Sequence, residues 1–441
     1  MTTAERAWPR TPSSPPPDAR LVADLVEVDL TTGAAFAYGP PHDAFDELRA
    51  HGGIAWHAES SVAGLLGDDA FLQFTDSPGF WAVTSHQLAN EVDRDQERFS
   101  SEAGGTTLPS MTDESLVVFR QMMLNMDHPD HSRLRRILQP IFTPRSVERL
   151  RASIGHNAAD ILGGLHGEVD LVTAVSAEMP LRVLADLFGM PRDDRHLIFE
   201  WSNALLGADN PTGASEHADE AAAALGEMMA YGQALADDRR THPRDDVVSR
   251  IVTAEVDGER LTDTEFQMFW LLLVIAGNET TRNALSGSVI ALHEHGLWSW
   301  LADHPEHLTG AVEELLRYVS PVQHFRRTAT RDTVLGDQDV RAGDKVVIWF
   351  GAANRDPAVF ADPHGLDLRR EPNPHLAFGT GPHFCLGAHL ARLELTQMLG
   401  ALLAHAPDLS VGAPTRSASN FINGVAHLPV QVGPPRAPAP R

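Results

Sequence analysis

A single cysteine, Cys385, is the only thiol in 441 residues. One thiol excludes a disulfide framework. It also excludes cysteine-built zinc and iron–sulfur centres, which need several thiolates close together. It fits a reducing compartment. Long apolar runs are missing too: the longest, Met268 to Gly277, is about half the ~20 residues that a membrane-spanning helix needs. The start, Met1 to Arg20, has no apolar stretch of the kind a secretory leader carries. These absences predict a cytoplasmic protein with no membrane span. Positive charge is scarce: 35 Lys and Arg stand against 60 Asp and Glu, a formal net charge of −25. Nucleic acid, itself a polyanion, is excluded as a general partner. No fixed-period repeat and no phosphate-cradling loop is found, so a solenoid and a built-in nucleotide unit are excluded. His293-Glu294-His295 resembles part of a zinc-protease motif, but position 297 is Leu rather than the second histidine.

The ends of the chain, 1–20 and 434–441, are rich in Pro and small residues and read as a disordered and a flexible tail around one domain, 21–433. Inside it, helical patterning is expected over 43–51, 85–93, 115–124, 130–141, 145–163, 170–188, 193–206, 215–240, 244–255 and 262–295. Strands are expected at 54–57, 79–84 and 345–350, where aromatic and β-branched residues cluster between turn formers. The fold class is therefore mainly α with small β-sheets. Within 262–295, Thr262 and Glu265 form a capping-box pattern, and Phe266 to Ile275 is apolar almost all round, so this helix is expected to be buried. Gly277, Asn278 and Glu279 then interrupt a core helix with residues that weaken it. Such a local conflict marks functional sites.

Around the cysteine runs His375-Leu376-Ala377-Phe378-Gly379-Thr380-Gly381-Pro382-His383-Phe384-Cys385-Leu386-Gly387, followed by a helical pattern from Ala388 to Leu403. A sulfur at a helix entrance feels the positive end of the helix dipole, which favours the thiolate and suits it to a cationic metal. Glycines let the backbone lie close to a flat group. One cysteine can be the single axial ligand of a haem iron. The frame Phe378-Gly379-x-Gly381-x-His383-x-Cys385-x-Gly387 resembles, position for position, the haem-binding signature of the cytochrome P450 family.

That resemblance implies the single-domain cytochrome P450 fold, haem b (iron protoporphyrin IX) as cofactor, and Cys385 as the iron ligand. It implies an oxygen-binding groove in Ala276-Gly277-Asn278-Glu279-Thr280-Thr281, where Ala276 and Gly277 leave room and Thr280 passes protons. Glu279 stands where the family often has Asp. His131 and Arg135, one helical turn apart, match the family's pair for the haem propionates, and His383 and Arg327 match two more, with Arg326 an open alternative to Arg327. Glu314 and Arg317 match a buried pair that locks the core, with Arg370, or Arg369 beside it, as third partner; the role is structural.

The implied activity is insertion of one oxygen atom from O2 into a C–H bond of a hydrophobic small molecule. The implied pocket is lined by Leu124, Leu273, Val322, His324, Phe325, Phe421 and Ile422. Met123 to Pro129, Ala276 to Thr281 and Phe421 to Val425 resemble the branch that oxidises sterol side chains and branched lipids. The same strings occur in relatives that tailor secondary metabolites or carrier-protein-bound amino acids. A haem sensor or carrier without turnover, and a peroxide-driven oxidase, are further readings. Thr280 and an acid at 279 count against both. With no reductase in the chain, electrons are expected from a ferredoxin and its reductase. Arg133, Arg135, Arg136, Arg145, Arg149 and Arg151, against Glu148 alone, form a local reversal of charge suited to an acidic donor.

Overall fold

A computed structural model describes residues 8–61, 73–207, 214–255 and 258–433. Helices dominate it. The largest core cluster gathers side chains from the segments between Met122 and Val432. Through it runs the helix Asp263–Glu294, with its capping box formed: Thr262 Oγ1 accepts the Glu265 N–H at 3.2 Å, and Glu265 Oε2 accepts the Thr262 N–H at 2.8 Å. Phe266, Phe269, Trp270, Leu271 and Val274 are buried on it, whereas Met268, Leu272, Leu273 and Ile275 keep partial exposure, so the helix is not buried on every side. Among the described residues no helix is long and apolar enough to cross a membrane.

A five-stranded sheet flanks this helical body, in the order Ile54–Ala58, Gly79–Val83, Lys345–Trp349, His324–Ala329, Phe99–Ser100. Lys345–Trp349 runs parallel to Gly79–Val83 and antiparallel to His324–Ala329, so a strand from late in the chain closes onto one from early in it. Residues 1–7 and 434–441 lie outside the described residues. Residues 8–20 run along the sheet side: Arg341 donates to the Ser14 carbonyl at 2.6 Å, and the Arg20 N–H to Gln338 Oε1 at 2.9 Å.

Several expected helices are subdivided. The 145–163 stretch is two helices, Pro144–Glu148 and Arg151–Leu162. The 170–188 stretch opens with a π-helical turn, Val172–Ser176, before Glu178–Phe188. Ahead of it, Gly167–Asp170 is a strand paired with Pro429–Val432, a long-range contact that local periodicity does not encode. The 115–124 stretch becomes Asp113–Phe119 and a short 3-10 turn, Met123–Asn125. The Asn125 side chain explains the break. Its amide donates to the Phe119 carbonyl at 3.1 Å and its oxygen accepts the Thr106 hydroxyl at 2.7 Å, so it replaces helical hydrogen bonds with a loop clamp.

Glu314 and Arg317, on the helix Leu308–Val319, are both fully buried and joined by two 2.8 Å hydrogen bonds. Arg370 donates Nε to both Glu314 oxygens, at 3.1 and 3.0 Å, while Arg369 turns away over the Trp300 ring. Arg317 uses its remaining donors on the carbonyls of Asn354, Pro363 and Gly365 at 2.8, 2.8 and 2.9 Å. Asn354 in turn accepts the Leu376 N–H at 2.6 Å, which fixes the start of the cysteine stretch.

Candidate active site

The cysteine stretch turns on itself before the helix Ala388–His405. Gly379 and Gly381 both have positive φ, at 65° and 66°. At Gly381 the requirement is also one of space: a Cβ there would stand 2.7 Å from the Asp93 carbonyl oxygen and 2.9 Å from the Arg94 Cα. The neighbouring helix His86–Arg94 therefore packs directly on the glycine backbone. Asp93, buried, accepts the Thr380 N–H at 2.8 Å and pairs with buried Arg327. The Cys385 N–H donates to the Phe378 carbonyl at 2.9 Å. This clamp positions the sulfur.

Cys385 has surface open to water, yet it lies deep in the protein, where burial pushes its thiol above its ordinary value. Both hold for a side chain that lines an internal space. A Cβ added at Gly387 would meet nothing within 4 Å, so there is open space beside that glycine as well. The expected lowering of the thiol by the helix entrance is therefore corrected. Burial outweighs the hydrogen bond from Gly387 and the nearby charges of Arg135 and Arg392. A cation at the sulfur would reverse that balance.

On the central helix, Ala276 is exposed and Thr280 half-buried, while Asn278 and Glu279 are buried. Leu273, Ala276 and Thr280 fall on one face by their spacing. Gly277, four residues after Leu273 and three before Thr280, borders the same face, and a Cβ there would stand 3.1 Å from the Leu184 side chain. Thr280 donates its hydroxyl to the Ala276 carbonyl at 2.6 Å. The Glu279 carboxylate is paired with Arg282 and accepts the Asn283 amide at 2.7 Å. Asn283 Oδ1 accepts the Val425 N–H at 2.8 Å, tying the helix to the strand Val425–His427.

Two arginines and two histidines converge beside the cysteine stretch. The His131 and His383 rings lie 4.2 Å apart. Arg135 donates to the Phe384 carbonyl at 2.7 Å. Burial, then Arg135 and Arg327, lower His131 to about 4. Burial, then Arg327, His131 and Arg135, hold His383 well below its ordinary value. His131 is 1% exposed, and neither of its ring nitrogens has a hydrogen-bond partner. Buried polar groups are normally satisfied, so this cluster is built for an anion. The two haem propionates have that chemistry, and an accessible thiol beside open space has that of the axial ligand; the residues present fit haem. Arg327 rather than Arg326 faces the cluster. On the strand His324–Ala329 the two point to opposite faces, and Arg326 reaches instead toward the Pro109 carbonyl and Ser110. Ser101, which sequence reasoning missed, lies 3.2 Å from His383 Nε2. Nothing in a Ser- and Gly-rich loop singles it out.

Two distant segments form the apolar wall. Val322 pairs with Ile422 as an isolated bridge, and the Gln323 N–H donates to the Phe421 carbonyl at 2.8 Å. Phe325 and Phe421 rings meet edge-on at 5.7 Å. Val322, Phe325, Phe421, Leu124 and Leu273 keep partial exposure. His324 and Ile422 do not: His324 is 2% exposed, packed against Trp349 and Phe421 behind the wall. Strand alternation puts it there. Of the arginine run, Arg133 is paired with Glu265 and Arg151 with Glu148, and Arg136, Arg145 and Arg149 lie at the surface.

The family model described as Cytochrome P450 matches residues 303–405. A steroid C26-monooxygenase of Mycolicibacterium smegmatis is 37% identical over 399 residues, covering 88% of this chain and 90% of that protein. A methyl-branched lipid omega-hydroxylase of Mycobacterium bovis is 37% identical over 434 residues, covering 96% and 97%. The crystallised cytochrome P450 of Mycobacterium marinum in complex with pseudoionone has a TM-score of 0.81 and 37% identity, over 92% of this chain and 99% of that one.

Replacing His131 with Ala should release haem to a scavenging apoprotein at least about tenfold faster, the equivalent of ~1.4 kcal/mol, a modest charge-assisted hydrogen bond. An unchanged release rate would mean that His131 holds no propionate.

Proposed function

The chain belongs to the cytochrome P450 family, and we propose that its substrate is a branched aliphatic chain, such as a sterol side chain or a methyl-branched lipid. It is a monooxygenase that hydroxylates a hydrophobic substrate, with haem b on a cysteine thiolate and electrons from separate redox partners. Cys385 is the chain's only cysteine. The observation that carries the substrate reading is the accessible apolar surface of Leu273, Ala276, Val322, Phe325 and Phe421. Relatives named for steroid and methyl-branched lipid oxidation, each 37% identical over most of the chain, support it.

Haem, when bound, supplies activation of O2 and the oxidising power for the C–H bond. The protein's part is position, water exclusion and protons. His131, Arg135, Arg327 and His383 balance the propionates, and Phe378 and Gly379 shape the bed of the cysteine loop. Leu273 and the Phe325–Phe421 wall hold the aliphatic chain against the groove. Thr280 is the hydroxyl that hands a proton into it, and Glu279 resupplies that proton. Glu279 must leave Arg282 and Asn283 to do so, so its present pairing is the resting arrangement. A ferredoxin, fed by its reductase, delivers electrons at the patch of Arg136, Arg145 and Arg149, where opposite charge speeds the encounter.

An optical titration of the ferric protein tests the substrate. Sterols or methyl-branched fatty acids should give a saturable low- to high-spin shift. A shift only with carrier-tethered or polar compounds would overturn the reading. Thr280→Ala should lower product formed per electron by about tenfold or more, within the usual weight of a positioned proton donor, with the difference appearing as peroxide. Full coupling in that variant would remove Thr280 from the relay.

A further inference from the structure

Beside the cysteine stretch stands a second charged assembly that neither the groove nor the propionate cluster uses. Arg392, on the helix Ala388–His405, donates Nε to Glu313 Oε1 at 2.6 Å and a terminal nitrogen to Glu313 Oε2 at 2.8 Å. Glu313 comes from another helix, Leu308–Val319, next to the buried Glu314. Its Oε2 also lies 3.1 Å from His375 Nε2, at the opening of the cysteine stretch. Burial works against the Glu313 carboxylate, but hydrogen bonds from His375 and Arg392 outweigh it and lower the group to about 2. The fork is held in one plane by a bidentate pair, the geometry that arginine alone provides.

That plane is aimed at the ligand loop. The Arg392 guanidinium carbon lies 4.4 Å from the centre of the Phe378 ring, a cation–π contact. Phe378 is the residue whose carbonyl accepts the Cys385 N–H at 2.9 Å. The Glu313 and Arg392 side chains are 31% and 29% exposed, so solvent screens them only in part. An ordinary surface ion pair would need neither the histidine nor the ring. Here three segments converge on one residue of the cysteine loop.

We propose that Arg392, with Glu313 and His375, is a positioning unit that sets how readily the haem held by Cys385 accepts its electron. This rests on the reading of Cys385 as the haem ligand. In the step concerned the redox partner gives up one electron and iron(III) becomes iron(II), with no bond or proton changed. A positive charge near the sulfur favours the reduced, more negative state, and a negative charge opposes it. The two partners therefore act with opposite signs, which a purely structural role would not produce.

The test is a spectroelectrochemical titration of the purified haem-loaded protein. Arg392→Gln should lower the reduction potential and Glu313→Gln should raise it. Each change should be about threefold in the equilibrium constant, which is about 28 mV at 59 mV per tenfold for one electron. The double variant should return close to the parent. Arg392→Lys, which keeps the charge without the fork, should shift less than Arg392→Gln. If Arg392→Gln fails to hold haem, the sign of the Glu313→Gln shift decides: a rise supports the proposal, and a fall or no change overturns it. Shifts of both single variants in the same direction, with the thiolate spectrum intact, overturn this proposal and leave the haem reading standing. A parent protein without a thiolate-ligated spectrum overturns both.

Discussion

The buried bond between Glu314 and Arg317 is the constraint on which the site depends. Both side chains are fully shielded from solvent, and breaking such a pair from one side costs ~3–5 kcal/mol because the other charge is left uncompensated. A pair that only stabilised could be replaced by packed apolar side chains. This one also organises the backbone. Arg317 gathers three carbonyls from the stretch between Asn354 and Gly365, Glu314 accepts Arg370 and the Asp367 N–H, and Asn354 holds Leu376. A long irregular segment is thereby ordered just before the cysteine loop. That loop is then clamped from its other side by Asp93, which ties Thr380 to Arg327. The position of one sulfur follows from two buried ion pairs, one within a single helix and one that joins Asp93 to Arg327.

The electrostatics around that sulfur divide into two regions with different tasks. His131, His383, Arg135 and Arg327 crowd together and depress the histidines, an arrangement that costs stability until an anion arrives. Arg392 instead already has its carboxylate in Glu313. In the first region Arg327 has Asp93 while His131 keeps both ring nitrogens unpartnered, which suits it to binding; the second is balanced and suited to tuning. The apolar wall is a third region, where burial rather than charge decides which side chains meet a substrate, as the contrast of Phe421 with His324 illustrates.

Much of this was legible in the sequence because the informative features are local. The glycine frame around Cys385, the capping box at Thr262 and Glu265, and the one-turn spacing of His131 and Arg135 lie within a few residues of one another. The third partner of Glu314 was narrowed to two neighbours, and geometry selects Arg370. Long-range pairing was not legible: the strand Gly167–Asp170 exists because Pro429–Val432 lies beside it. Nor were Asp93, Ser101 and Arg392, ordinary polar residues whose meaning comes from what the fold sets against them. The thiol was misjudged for a related reason, since desolvation depends on the whole surrounding fold while the helix dipole can be read from a few residues.

The measurement that bears most directly on the account is the absorption spectrum of the reduced, carbon monoxide-bound protein, beside the same spectrum for Cys385→Ala. The account predicts a thiolate-type band in the parent protein and its loss in the variant. A parent protein lacking that band, or a band that survives removal of Cys385, would contradict it.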